Sequence, residues 1–154
     1  MRKIFRIVLA VLIAGIVILQ FFQPDRNPGG YDPVKDSVII TGVSEEIATI
    51  LTTSCYDCHS NHTQYPWYGH VSPVSWFLED HIRDGKEAFN FNQWGSLEKA
   101  KQIGVLTDIC DEIESGSMPL KSYLLIHRDA KLSEADRKTL CDWTESEALK
   151  LLRE

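Results

Sequence analysis

Sulfur is scarce in this chain of 154 residues, which has four cysteines and two methionines, one of them Met1. Only Cys55 and Cys58 are closely spaced; Cys110 and Cys141 stand far apart, with no Cys or His at ligand spacing. A structural zinc site takes four ligands, usually from two close pairs, so this spacing argues against zinc. No alternating strand pattern precedes Cys55, and a thioredoxin-like dithiol is expected inside a βαβ pattern. The chain has no internal repeat and no low-complexity tract. The first 23 residues contain no acid.

Cys55-Tyr56-Asp57-Cys58-His59 has the C-x-x-C-H spacing of covalent haem attachment. Two thiols three residues apart lie on one side of a helical turn, where each can form a thioether to one haem vinyl group. His59, directly after the second thiol, is held beneath the ring as the proximal iron ligand. A single motif predicts one haem c, with its iron, per chain, and loading by the cytochrome c maturation machinery.

The N-terminus reads as an export signal. Met1 to Arg6 is basic, and an uncharged, mostly apolar run continues from Ile7 to Phe22. As a helix, Ile4 to Phe22 would rise about 28 Å, close to the hydrocarbon thickness of a bilayer. Bulky Gln20-Phe21-Phe22-Gln23-Pro24 offers no small-x-small cleavage site, which favours a retained transmembrane signal anchor over 1–23 rather than a cleaved peptide. Positive charge before the span keeps the N-terminus cytoplasmic and places the rest on the periplasmic side of the inner membrane. Residues 24–36, with three prolines and two glycines, read as a tether, and 37–154 as one haem domain.

The net charge is −6, and setting aside the cations Arg2, Lys3 and Arg6 leaves −9 on the exported part. Such a domain does not suit nucleic acid and matches a redox partner with a basic patch near the membrane. The same excess of acid also serves plain solubility. In an oxidising compartment Cys110 and Cys141 suit a disulfide between two helices; as buried free thiols they would act as small hydrophobes.

Periodicity predicts an all-α domain. One helix starts at the N-cap Ser44 and leads into the motif. A second has Ser72 as cap, Pro73 first, Gly85 as stop, and an apolar face of Val74, Phe77, Leu78, His81 and Ile82. A third spans 96–115, ended by Gly116. The last opens with the capping box Ser133-x-x-Asp136 and turns Leu140 and Trp143 inward.

Met118 is the first choice for the distal iron ligand, in a turn before Pro119. A thioether is a soft ligand that favours reduced iron. His81 is the runner-up, while His62 and His70 read as solvent-facing. Trp67, Trp76, Phe77, Phe91 and Trp94 are expected to wall the haem, with Arg83 and Arg128 as candidate partners of its propionates.

A helix leading into C-x-x-C-H, a ligand loop and a final amphipathic helix resemble the class I cytochromes c, in which the first and last helices pack together. The closer resemblance is to the bacterial exported haem-binding domain family. It rests on Cys55-x-x-Cys58-His59-Ser60-Asn61, Tyr65-Pro66-Trp67-Tyr68, Pro73-Val74-Ser75-Trp76-Phe77, Phe89-Asn90-Phe91-x-x-Trp94, Met118-Pro119 and His127, across roughly residues 50–145. It implies a haem ligand and export, and does not fix an activity. The reading is a membrane-anchored monohaem cytochrome that carries single electrons. The alternative is a haem-based gas or redox sensor. An enzyme is not expected: a peroxidase needs a distal acid–base pair and usually a second haem, and the chain has one C-x-x-C-H.

Overall fold

The computed structural model describes residues 1–27 and 42–153, and every regular element within them is helical. The α-helices are α1 (Arg2–Leu19), α2 (Glu45–Ser54), α3 (Tyr56–His59), α4 (Val74–Ala88), α5 (Lys99–Glu114), α6 (Lys121–Leu124) and α7 (Glu134–Arg153). Short 3-10 turns lie at Trp67–His70, Phe91–Ser96 and Arg128–Ala130. The all-α expectation holds among the described residues.

The core forms where α5 and α7 pack together and α2 closes one side. Leu106, Ile109 and Ile113 of α5 meet Leu140 and Trp143 of α7, and Leu51 enters from α2. Leu51, Leu106 and Leu140 are fully buried, each contributing about 1.5–3 kcal/mol of apolar transfer. Cys110 and Cys141 form a disulfide between α5 and α7, with 5.0 Å between their Cα atoms. The helix before the haem motif and the last helix do touch, but α7 packs mainly on α5.

Helix starts follow capping chemistry. Ser44 Oγ accepts from the backbone N–H of Ile47 at 3.3 Å, with Glu45 and Glu46 in the first turn. At α7 the box closes in both directions: Ser133 N–H donates to Asp136 Oδ2 at 2.8 Å, and Asp136 N–H donates to Ser133 Oγ at 3.1 Å. Hydrogen bonding to the Ser133 side chain, and to its backbone N–H, holds the Asp136 carboxyl below its usual range. Helix α5 starts at Lys99 rather than 96, because Phe91–Ser96 forms its own turn, capped by the Asn90 side chain. It ends near Gly116, whose φ of +71° suits glycine.

Helix α4 departs from expectation. It begins at Val74, one residue late, and runs past Gly85 to Ala88. Its buried residues are Ser75, Ile82 and Gly85, while Val74 and Phe77 are exposed. Gly85 is a contact position, not a stop. The helix presses small residues against its neighbours, and an apolar count cannot detect that face.

The transmembrane expectation for 1–23 is not supported. No helix among the described residues is long and apolar enough to cross a membrane. Helix α1 has 18 residues, and Arg2, Lys3 and Arg6 occupy its start. The uncharged remainder, Ile7 to Leu19, would rise about 20 Å, short of a hydrocarbon core of about 30 Å. It buries no residue. The expected tether, 24–36, lies largely outside the described residues. Its first part is bound to the domain: Arg26 donates to the Gly69 carbonyl at 3.4 Å, and Asn27 Nδ2 to the Thr63 carbonyl at 3.2 Å.

Candidate functional site

Helix α2 delivers the C-x-x-C-H motif to the middle of the domain. It ends at Ser54, the chain bends at Cys55, and Tyr56 to His59 form the single turn α3. The ring of Tyr56 stacks on Phe91 at 4.6 Å, and Ser60 Oγ donates to the Tyr56 carbonyl at 2.8 Å. The turn is thereby fixed from both ends.

Helix α4 packs directly on this turn. At Gly85 the backbones approach so closely that a Cβ would stand 2.9 Å from the Cys58 carbonyl oxygen. Glycine is required there by space, since no φ demands it.

His59 is buried, and its Nδ1 lies 3.2 Å from the carbonyl oxygen of Phe89, just past α4. With Nδ1–H donating to that carbonyl, Nε2 keeps its lone pair free for a metal. The Phe89 ring stacks on the imidazole at 4.3 Å and fixes its plane. Burial lowers the pKa of His59, opposed by its bonds to the Phe89 and Gly85 backbone. A neutral imidazole is the ligating form.

Two cavities adjoin this histidine. The first, about 440 Å³, is lined by Cys55, His59, Phe89, Phe91, Ile109 and Met118, among others. The second, about 330 Å³, reaches Cys58, His81, Tyr123 and again His59 and Met118. Cys55, His59 and Met118 border both, so the space lies on the open side of the motif and is largely apolar. Both volumes fall in the range of small-molecule and cofactor sites.

Burial and the neighbouring Cys58 push the Cys55 thiol up to about 12. Burial and Asp57 push Cys58 up to about 11, against the opposing charge of Lys86. A catalytic dithiol needs a stabilised thiolate, and neither cysteine is stabilised as one. The donor set fits haem: two adjacent thiols, an oriented imidazole and an apolar cavity between them.

His81 lines the second cavity, but its Nδ1 lies 2.8 Å from the carbonyl of Phe77 on its own helix. Arg83 is exposed and paired with Asp80 at 2.8 Å and Asp84 at 3.3 Å. Phe91 is buried and lines the first cavity, whereas Trp67, Trp76 and Phe77 are exposed.

Sequence reasoning missed Phe89 and Gly85 as working parts; a lone glycine inside a helical pattern was the available signal. It also missed a polar edge beside Cys58. Tyr123 donates to Asp57 Oδ2 at 2.7 Å, stacks on His127 at 4.2 Å, and His127 Nε2 lies 2.7 Å from the Tyr68 hydroxyl. Burial and the Asp57 carboxylate push the Tyr123 pKa strongly up, so it stays a hydrogen-bond donor.

No curated protein and no solved structure matches the chain. A family model described as a haem-binding domain matches residues 14–146, which takes in both motif cysteines, His59 and every residue named around the cavities. The chain belongs to the haem-binding domain family.

Proposed function

We propose that this haem protein is a c-type cytochrome, exported and membrane-associated, that carries single electrons. Cys55 and Cys58 hold the haem through thioethers, His59 is the proximal ligand and Met118 the distal one. The observation that carries this reading is that His59 and Met118 both border the same two adjoining cavities, with His59 Nδ1 already turned to the Phe89 carbonyl.

When bound, the haem iron supplies a one-electron change of oxidation state. The protein's part is positional. Phe89 and Gly85 hold the imidazole, α4 presses on the motif, and Phe91 with Ile109 keeps water from one face. No side chain is assigned a catalytic step. Excess acid on the domain, including Glu79, Asp80, Asp84 and Glu87 along α4, suits a redox partner with a basic patch.

Export is supported by the disulfide between α5 and α7, since such bonds persist in oxidising compartments. Membrane association is supported by α1, whose apolar side chains are exposed on every side and whose basic end suits anionic headgroups.

A sensor role has one observation in its favour. The second cavity places His81 and Tyr123 beside Met118, which leaves room for polar contacts to a small ligand if Met118 moves aside. Absorption spectra of the matured protein, oxidised and reduced, with and without carbon monoxide, separate the two. A c-type reduced spectrum unchanged by carbon monoxide supports the carrier. A carbon monoxide shift supports the sensor, and the absence of any haem spectrum rejects both.

A further inference from the structure

Where the chain leaves α1 it does not swing away from the domain. Gln20 grips the backbone of Ser72 with both ends of its amide: Nε2 donates to the Ser72 carbonyl at 3.1 Å, and Oε1 accepts from Ser72 N–H at 3.0 Å. Gln23 Nε2 donates to Ser72 Oγ at 2.8 Å. Trp76 donates its indole N–H to the Phe22 carbonyl at 2.6 Å. Four hydrogen bonds therefore seat the end of α1 on the tip of α4, where Ser72 is buried.

Around this clasp the surface is apolar. Phe21 and Phe22 are exposed at 82% and 65%, Val71 and Val74 at 42% and 43%, and Trp76 at 36%. From Gln64 to Leu78 the chain has no acid or lysine or arginine, and Gln20 to Pro24 has none either. On an exported part of charge −9, an uncharged apolar collar at the foot of an apolar helix is a departure from the rest of the surface. The collar is also continuous with α1 itself, whose residues from Ile7 to Ile18 are all exposed.

We propose that the collar of Phe21, Phe22, Val71, Val74 and Trp76 docks into the bilayer interface and holds the haem domain against the membrane in one orientation. The proposal rests on the membrane association of α1 proposed above. Tryptophan suits this layer because its ring is apolar while its N–H donates a hydrogen bond, here to the carbonyl of Phe22. Along α4 the acidic side chains begin only at Glu79 and Asp80, beyond its first turn, and the one acid next to the collar, exposed Asp25, is followed directly by Arg26, so docking the tip brings little net negative charge to anionic headgroups. A domain held in this way presents one fixed face to a partner in the membrane plane.

The test is fluorine NMR of the reduced, full-length holoprotein carrying 5-fluorotryptophan, in nanodiscs of phosphatidylcholine and phosphatidylglycerol. Spectra are compared with and without lipid spin-labelled near its headgroup, and Trp76→Phe identifies the line. The expected result is broadening of the Trp76 line, with the lines of Trp94 and Trp143 unchanged. Co-purification with nanodiscs but no broadening at Trp76 would overturn the docked collar and leave membrane association standing. Failure to bind nanodiscs would reject both. A Trp76 line insensitive to spin label but shifting with protein concentration would give the face to a second copy of the chain, and overturn the proposal.

Discussion

Gly85 of α4 and Cys58 of the haem motif meet backbone to backbone: a Cβ on Gly85 would lie 2.9 Å from the Cys58 carbonyl oxygen and 3.1 Å from its Cβ. The obstructing atoms are mostly main chain, so nothing flexible can give way. Gly85→Ala should therefore displace α3 or α4. Alanine gains about 1 kcal/mol of helix propensity over glycine, yet overpacking costs about 1–3 kcal/mol, so a net loss is expected. Gly104→Ala on α5 is the control, since nothing lies within 4 Å of its Cβ position, and it should be neutral or stabilising. Urea denaturation of the two variants, with haem content measured alongside, checks both.

Met118→Ala should leave the haem attached and lower the reduction potential, or open the iron to carbon monoxide. Redox titration and carbon monoxide difference spectra read the two effects. A loss of stability with neither change would make Met118 a packing residue.

The two cysteine pairs should separate cleanly. Replacing Cys110 and Cys141 by Ala removes the link between α5 and α7 and should cost about 2–4 kcal/mol in denaturation experiments. Haem stoichiometry should not change. Replacing Cys55 and Cys58 by Ser should abolish haem retention on denaturing gels.

Asp136 gives a pH dependence with a defined sign. Its folded pKa lies below the ordinary carboxylate value of 3.8 because of its bonds to Ser133. Its contribution is complete above that value and is lost as pH falls through the lower folded one. Asp136→Asn should therefore destabilise at neutral pH, by about 0.3–1 kcal/mol for charge at a helix start. The difference from the native protein should narrow toward pH 2. Denaturation curves at the two pH values test this.

Several local signals were legible in the sequence, although the Ser72-Pro73 start and the Gly85 stop read for α4 were not what the chain does. Ser44, Ser133 with Asp136, and Gly116 each act through bonds or dihedrals within a few residues, and all behave as their types predict. The motif was legible for the same reason. The buried face of α4 was not, because Ser75 and Gly85 are buried for their small size while Val74 and Phe77 remain exposed. Nor was the link from His59 to Phe89, thirty residues apart, since it depends on where α4 ends. The end of α1 behaves likewise. Gln20 and Gln23 look like spacer residues until Ser72, about fifty residues on, is placed beside them.

The central claim is covalent haem at Cys55 and Cys58, and intact-mass spectrometry of the denatured protein tests it most directly. After co-expression with the cytochrome c maturation machinery, the account predicts the polypeptide plus one haem, reverting to the bare polypeptide when both cysteines are replaced by serine. A bare polypeptide mass from the unaltered protein, with two alkylatable thiols at Cys55 and Cys58, would contradict it.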